Sequence, residues 1–205
     1  DAASPSPSVD GSVVAFQSSA EDLVAGGSNA VYDVFVREFP SRNVELVSRR
    51  SPARPSSTIP GRCAVSPNAI SADGRFVLFS TSAGTGFPNL YIRDLWTGSN
   101  QLVTMTVDGA ACSNGFHLTP AISGDGRWVV YQSTATNLLA NDTNNAADLF
   151  LHDLWHGTND LVSAAWLSGK VGNKYSMNPG LSSNGQFVVF QSLASNLTSN
   201  DANSS

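Results

Sequence analysis

One loop of this chain carries oxygen-bearing side chains at a spacing that could bind a metal ion. Asp142, Asn144 and Asp148 occupy the first, third and seventh positions of the segment 142–148, and Asp201 begins a similar pattern. Hard cations such as Ca²⁺ bind several oxygen ligands on a turning backbone. The loop lacks the Gly and the bidentate Glu of an EF-hand, however, and Asp and Asn side chains also shape turns by bonding to their own backbone. A calcium site and an Asx-type turn are both open interpretations, and no other cofactor is predicted.

The remaining reactive side chains form no recognisable catalytic motif. The sequence contains no G-x-S-x-G, P-loop or HExxH pattern. A catalytic histidine needs a placed carboxylate or nucleophile, and Ser and Asp are too abundant in this chain for such a pairing to be informative. Asp10, Asp73 and Asp125 each precede a Gly, which indicates turn formation rather than an acidic active site. We predict no catalytic residues and no enzymatic activity. The three histidines are His117, His152 and His156.

Two cysteines and two tryptophans recur at comparable places in the chain. Cys63 and Cys112 each lie shortly before an extended segment. They either form one disulfide between neighbouring units or stay reduced, and no CxxC or Cys/His cluster indicates a metal site. Trp96 and Trp155 lie in equivalent turns. They are either exposed contacts for a protein partner, because Trp is enriched at binding hot spots, or they pack against a neighbouring unit.

These residues belong to a pattern that recurs four times along the chain. A Ser-x-Asp-Gly turn, with Asn in place of Asp in the fourth copy, is followed by an almost continuous apolar segment. The four glycines are 63, 52 and 59 residues apart. A period of this size indicates a repeat architecture. The copies are Ser8–Ser18, Ser71–Thr81, Ser123–Ser133 and Ser182–Ser192.

Each repeat predicts up to four antiparallel strands. The Asp-Gly turn joins a short first strand to a second strand, whose apolar run fits burial on both faces. A third strand follows a variable loop, and a more polar fourth strand follows the next turn, as expected for an outer edge. We predict first strands at Ser6–Val9, Asn68–Ser71, Pro120–Ser123 and Pro179–Ser182, third strands at Asp33–Glu38, Asn89–Asp94 and Asp148–Asp153, and fourth strands at Val44–Ser48, Gln101–Thr106 and Asp160–Ala164. Four consecutive strands of this kind describe one blade of a β-propeller.

Composition limits the classes of partner. The chain has 205 residues, of which 41% are hydrophobic and only 13% are charged, and its net charge is −5. A net negative charge argues against the surface of clustered Lys and Arg that nucleic acids require. The only basic cluster, Arg49, Arg50 and Arg54, lies in a Pro-rich segment and is either a binding patch or, as we expect, a solvated loop. No apolar run approaches the roughly 18 residues that span a bilayer. Nucleic-acid binding and direct membrane insertion are therefore not expected.

The repeat resembles the TolB-type β-propeller repeat. The resemblance rests on Ser123–Ser133 with the following Ala135–Leu138, Asn141–Asn144 and Asp148–Leu154, and on Ala20–Val24 with Asp33–Arg37. It implies an all-β propeller and a bacterial, extracytoplasmic setting, in the periplasm, at the cell surface or secreted. The family serves in protein binding in cell envelopes, in ligand binding and as a module attached to enzymes. The second repeat departs from the pattern, because its loop 82–88 is short and Asn89 replaces the usual Asp.

The strand count gives about three and a half blades, at residues 4–50, 64–107, 117–166 and 176–205 of a single domain. The fourth unit is two strands short, so we expect residues 186–205, including Gln186, Val188 and Phe190, to contact a protein partner or further blades. The leading hypothesis is a non-enzymatic protein-binding or scaffolding module in a larger chain or assembly. The alternatives are the propeller portion of a secreted hydrolase or polysaccharide lyase with its catalytic residues elsewhere, and a small-ligand-binding propeller.

Overall fold

The computed structural model describes residues 2–24, 32–48, 63–82, 86–140, 142 and 144–199, and every regular element in these ranges is a β-strand. The strands are β1 (Ala2–Pro7), β2 (Val13–Ser18), β3 (Asp33–Glu38), β4 (Val44–Leu46), β5 (Cys63–Ala64), β6 (Phe76–Thr81), β7 (Asn89–Asp94), β8 (Ser99–Leu102), β9 (His117–Ile122), β10 (Trp128–Ser133), β11 (Asp148–Asp153), β12 (Thr158–Leu161), β13 (Ser176–Leu181) and β14 (Val188–Ser192). Among the described residues there is no helix with the length and apolar character that crossing a membrane requires.

The strands form four antiparallel sheets in sequence order. Blade 1 is β1–β4, blade 2 is β5–β8, blade 3 is β9–β12, and blade 4 consists of β13 and β14 alone in the described part of the chain. This confirms the predicted all-β architecture of three complete four-stranded blades and one partial blade. Residues 25–31, 49–50, 83–85, 141, 143 and 200–205 of the predicted blade ranges lie outside the described residues, as does the basic cluster of Arg49, Arg50 and Arg54.

The third strands lie where the sequence places them, but the first strands begin earlier than predicted. β9 starts at His117 rather than Pro120, and β13 starts at Ser176 rather than Pro179. β9 and β13 continue through a register shift beside their prolines, where the preceding residue has a left-handed backbone: φ is 45° at Thr119 and 54° at Asn178. A β-bulge accommodates the missing N–H of proline, so the proline lies inside the strand instead of starting it.

Neighbouring blades pack through the turn that joins their first two strands. Gly126 of blade 3 lies against the Phe76 ring of blade 2, and Gly185 of blade 4 lies against the Trp128 ring of blade 3. A Cβ atom at either glycine would collide with the ring. Side chains alternate along a strand, so the residue two positions after each ring faces the following blade as well. The core is therefore built between blades, and each blade is buried only where a neighbour covers it.

The predicted burial of each second strand on both faces implies that the aromatic residue five positions after each turn glycine is buried in all four blades. Phe79 and Tyr131 are buried, but Phe16 and Phe190 are only half-buried. The expectation is wrong for the two terminal blades because no blade in the described residues covers the outer face of blade 1. Blade 4, as far as the structure describes it, also lacks the third-strand aromatic that stacks on Phe79 and Tyr131 in the complete blades.

Candidate functional site

The acidic residue in each repeated turn has a conformational role. Asp73 Oδ1 accepts hydrogen bonds from the Ser71 hydroxyl (2.6 Å) and the Arg75 backbone N–H (3.0 Å). The Ser71 hydroxyl oxygen accepts the Phe76 N–H in addition, at 2.9 Å. The same arrangement recurs around Asp10, Asp125 and Asn184. These side chains satisfy backbone groups of their own turn, as the Asp-Gly pattern predicts.

Both tryptophan turns lie at the same end of the blades as the Asp-Gly turns, an end that we call the turn face. Trp96 and Trp155 are 75% and 71% exposed. Each packs on an arginine: the Arg75 guanidinium lies 4.4 Å from the Trp96 ring centroid, and that of Arg127 lies 4.5 Å from that of Trp155. The interpretation of these tryptophans as residues packed against a neighbouring blade is wrong. Their alternative role as partner contacts stays a prediction.

The arginines are held by carboxylates of the third strand. Arg75 binds Asp94 through Nε (2.9 Å) and Nη2 (2.7 Å), and Arg127 binds Asp153 in the same bidentate way. The Arg75 guanidinium lowers the pKa of Asp94 to about 2, and Arg127 holds the pKa of Asp153 well below its usual range. Sequence reasoning missed Arg75 and Arg127; the signal was an arginine two positions after the turn Asp in the second and third repeats.

We expect Asp94→Asn to weaken the protein at neutral pH and to flatten its acid sensitivity. Because the folded-state pKa is depressed, the carboxylate contributes stability above its unfolded pKa of about 3.9 and loses that contribution as the pH falls towards 2. The loss at pH 7 should be about 1–2 kcal/mol, given partial solvent screening of Arg75. Urea unfolding at several pH values measures it. A variant that loses stability between pH 4 and 2 as steeply as the wild type would contradict this assignment.

A cleft of about 320 Å³ lies between blades 2 and 3 on the turn face. Its polar lining includes Asp73, Arg75, Asp125 and Gln101, and Trp155 forms part of its apolar lining. The charge of Arg75 is already neutralised by Asp94. The cleft therefore offers a ligand polar and aromatic contacts rather than an unpaired positive charge. No group of three or more His, Cys, Asp or Glu able to hold a metal ion occurs among the described residues.

The histidines lie apart from this cleft or at its margin. Burial lowers the pKa of His117 to about 4 and also lowers that of His152, so both are neutral at physiological pH. Nδ1 of His152 lies 3.0 Å from Oδ1 of Asn159, which also accepts the Tyr131 hydroxyl. His156 is largely exposed and contacts Asp153 at 2.7 Å. His152 is therefore a core residue, although the third strands of the first two repeats have an arginine at its position, Arg37 and Arg93.

The loop proposed for calcium is ordered by its own side chains. Asn144 Nδ2 donates to Asp148 Oδ2 (2.7 Å) and to the Gly172 carbonyl (2.8 Å), and its Oδ1 accepts the Ala146 N–H. Asp148 Oδ1 accepts the Ser163 hydroxyl at 2.8 Å. Burial raises the pKa of Asp142, whose Oδ1 has no hydrogen-bond partner among the described residues. These bonds match the Asx-type turn, and a calcium ion at Asp142, Asn144 and Asp148 stays a prediction.

The candidate disulfide between Cys63 and Cys112 is not formed, and both residues are buried thiols. Cys63 pairs with Thr81 on β6, Thr81 pairs with Asn89 on β7, and the Asn89 side chain binds the backbone of Cys112. Two strand spacings of about 4.8 Å therefore separate the backbones of Cys63 and Asn89. Cys112 lies against the third strand of blade 2, whereas Cys63 lies in the first. Their comparable positions in the sequence did not show that Cys63 belongs to β5 and Cys112 to the segment between β8 and β9.

One side of blade 4, which we call its exposed side, carries apolar side chains that none of the described residues covers. Phe187 and Val189 are 68% and 69% exposed, whereas the Val188 and Phe190 side chains are half-buried on the opposite face of β14. Sequence reasoning selected Gln186, Val188 and Phe190 as partner contacts and missed the two most exposed apolar side chains of this segment. Successive side chains of a strand point to opposite faces, and blade 3 covers only one face of blade 4. This alternation could have identified Phe187 and Val189 as the exposed pair.

Similarity to known proteins is found in solved structures and not in sequence comparisons. No protein-family model and no curated protein matches the chain. TolB from Acinetobacter baumannii is 16% identical with a TM-score of 0.52, over 93% of this chain and 37% of that one. The putative TolB from Agrobacterium tumefaciens is 16% identical with a TM-score of 0.53, over 94% and 59%.

A third similar structure belongs to an enzyme. A prolyl endopeptidase is 15% identical with a TM-score of 0.59, over 95% of this chain and 26% of that one. The chain therefore spans a fraction of the length of each protein that it resembles. At such identities the similarity establishes architecture, and the fold of this chain is that of the TolB-type β-propeller.

Proposed function

We propose that this chain is a non-enzymatic protein-binding or scaffolding propeller module that acts outside the cytoplasm, and that the exposed side of blade 4 is its docking site. One observation carries the proposal. Val189 is 69% exposed, whereas the residues at its position in the other blades, Ala15, Leu78 and Val130, are at most 1% exposed. A position that is fully buried wherever a following blade exists is thus uncovered only in blade 4.

The energetics favour association at this surface. Uncovered apolar area costs about 25 cal/mol per Å², and contiguous exposed apolar patches on soluble proteins usually mark interaction sites. Phe187, directly before β14, and Val189 within it are two positions apart and lie on the same face, so a partner would bury both together. The extracytoplasmic setting is supported by the resemblance to the TolB-type repeat.

A second candidate is the propeller portion of a larger hydrolase. It is favoured by the similarity to the prolyl endopeptidase structure, of which this chain covers 26%. In that case a separate catalytic segment would supply the chemistry, and the exposed side of blade 4 would pack on another part of the same protein. The sequence that accompanies this chain in its gene separates the two candidates.

We expect the isolated chain to self-associate through this surface, and the double variant Phe187→Ser, Val189→Ser to raise the dissociation constant at least tenfold, or about 1.4 kcal/mol. Sedimentation equilibrium measures the effect. Val9→Ser is the matched control, because Val9 is 85% exposed but lies in the turn between β1 and β2. A wild-type chain that stays monomeric, or a double variant that associates like the wild type, would argue against the proposed docking site.

A further inference from the structure

Trp155 is an exposed side chain that the structure nevertheless holds in one orientation. The Arg127 guanidinium lies between two rings, 4.5 Å from the centroid of Trp155 and 4.5 Å from that of Trp128. Asp153 binds this arginine at two points and also accepts the Trp155 backbone N–H at 2.9 Å. A ring that is oriented before binding loses little freedom when a ligand covers it. Trp155 is therefore a pre-organised aromatic platform on the turn face.

The uncovered part of this platform borders the cleft between blades 2 and 3. Trp155 lines the cleft and Arg127 does not, so the part of the indole that faces the cleft is not the part that Arg127 covers. Phe76, Ile92 and Leu154 contribute further apolar lining. The volume of about 320 Å³ lies at the small end of the range of ligand pockets. The cleft therefore suits one or two small rings of a ligand, one of them stacked on Trp155.

The corresponding groove between blades 1 and 2 is occupied by a side chain of the protein. Arg93 crosses from blade 2 to bind Glu45 of blade 1, and it also donates to the Gly98 carbonyl. In blade 3 the equivalent residue is His152, which instead contacts Asn159 of its own blade at 3.0 Å. The cleft thus lies in the groove where the crossing arginine is absent.

The polar lining of the cleft has both hydrogen-bond acceptors and donors to offer. Asp73 and Asp125 use only Oδ1 in their turns, and the Oδ2 atom of each accepts no hydrogen bond from the described residues. Arg75 uses Nε and Nη2 to bind Asp94, and its Nη1 group donates no hydrogen bond to the part of the chain that the structure describes. A ligand that fits this cleft must therefore both donate and accept hydrogen bonds.

We propose that the cleft binds a neutral saccharide, with a pyranose ring on Trp155 and its hydroxyl groups bonded to Asp73, Asp125 and Arg75. A pyranose has a face of C–H groups that packs on an indole, and its hydroxyl groups both donate and accept hydrogen bonds. A cationic group would donate to the two carboxylates but would leave Nη1 of Arg75 without an acceptor. An anionic group would be repelled by the two carboxylates.

This inference goes beyond the proposed function, because it concerns the turn face rather than the exposed side of blade 4. A saccharide site and a protein-docking site on different parts of the chain do not depend on each other. The failure of either one leaves the other standing.

NMR titration of the chain with tetrasaccharides tests the ligand class. The neutral probes are cellotetraose, maltotetraose and chitotetraose, and we expect at least one of them to bind with a Kd below about 10 mM. Protonated tetraglucosamine and tetragalacturonate are the cationic and anionic controls, and they should bind about tenfold more weakly than the best neutral probe. Failure of all the neutral probes, or a charged control that binds as tightly as the best of them, would overturn the inference.

Two variants of Trp155 and one matched control locate the site. Trp155→Ala should weaken binding of the best neutral probe by about tenfold or more, and Trp155→Phe, which keeps an aromatic platform, should bind within about threefold of the wild type. Trp166→Ala is the control, because Trp166 is 64% exposed but lies between β12 and β13, outside the lining of the cleft. Its affinity should be unchanged. Wild-type affinity in Trp155→Ala, or an equal loss in Trp166→Ala, would contradict the proposed site.

Discussion

Gly115→Ala should lower the free energy of unfolding by about 3 kcal/mol or more. Gly115 has φ +74°, a left-handed conformation that costs an L-residue roughly 1–2 kcal/mol. A Cβ atom at this position would also lie 2.5 Å from the backbone N and 2.6 Å from the Cα of Ala135. The colliding atoms belong to the main chain, so no side-chain rotation relieves the contact. The loop before β9 would have to move away from the segment that follows β10.

Gly109→Ala separates the steric effect from the backbone effect. Gly109 has φ +76°, but a Cβ atom added there would have no neighbour within 4 Å among the described residues. The loss at this control position should be close to the conformational cost alone, about 1–2 kcal/mol. Urea unfolding of both variants gives the two free energies. Equal losses at the two positions would show that the segment around Ala135 yields without cost, contrary to the packing described above.

Phe79→Ala should destabilise the protein by about 3–5 kcal/mol, as expected for a large-to-small change at a buried aromatic site. Phe79 is buried between blades and stacks on Tyr91. The truncation removes these contacts and leaves a cavity that its neighbours fill only in part.

Phe190→Ala is the matched variant at the same position of the fourth repeat. Phe190 is half-buried, and in the described residues no third-strand aromatic stacks on it. Its truncation should cost less than half as much as that of Phe79, measured by thermal or urea unfolding. A Phe79→Ala protein with unchanged stability would remove Phe79 from the core, and equal losses would show that the two positions are covered alike.

The turns could be predicted from the sequence because their chemistry is local. An Asp-Gly pair, with a serine two positions before the Asp, contains the groups that its own turn must satisfy, and the structure uses them in that way at Asp73. The third strands could also be predicted from a local pattern, because each is a short apolar run with a polar residue at either end. The first strands could not be placed correctly, because a left-handed residue before proline, as at Thr119, is not visible in propensity or pattern.

The side-chain contacts between distant residues could not be predicted from the sequence, because they depend on the tertiary structure. The stacking of Arg75 on Trp96 joins residues from two turns. The contact of Cys112 with Asn89, two strands away from Cys63, depends on the order of the strands in blade 2. Neither relation is encoded in a local spacing. The same holds for Asn144, whose amide group binds the carbonyl of Gly172 in a distant part of the chain.

The repeat, the all-β class and the four-stranded blade all follow from the amino-acid sequence alone. These properties depend on periodic patterns and turn residues, which act over a few positions. The exposure of individual apolar residues, in contrast, depends on how the blades are arranged. Val130 and Val189 occupy the same position in nearly identical segments, yet the first is buried and the second is 69% exposed. Their difference lies in the presence or absence of a following blade in the described residues, and burial is a property of neighbours in space.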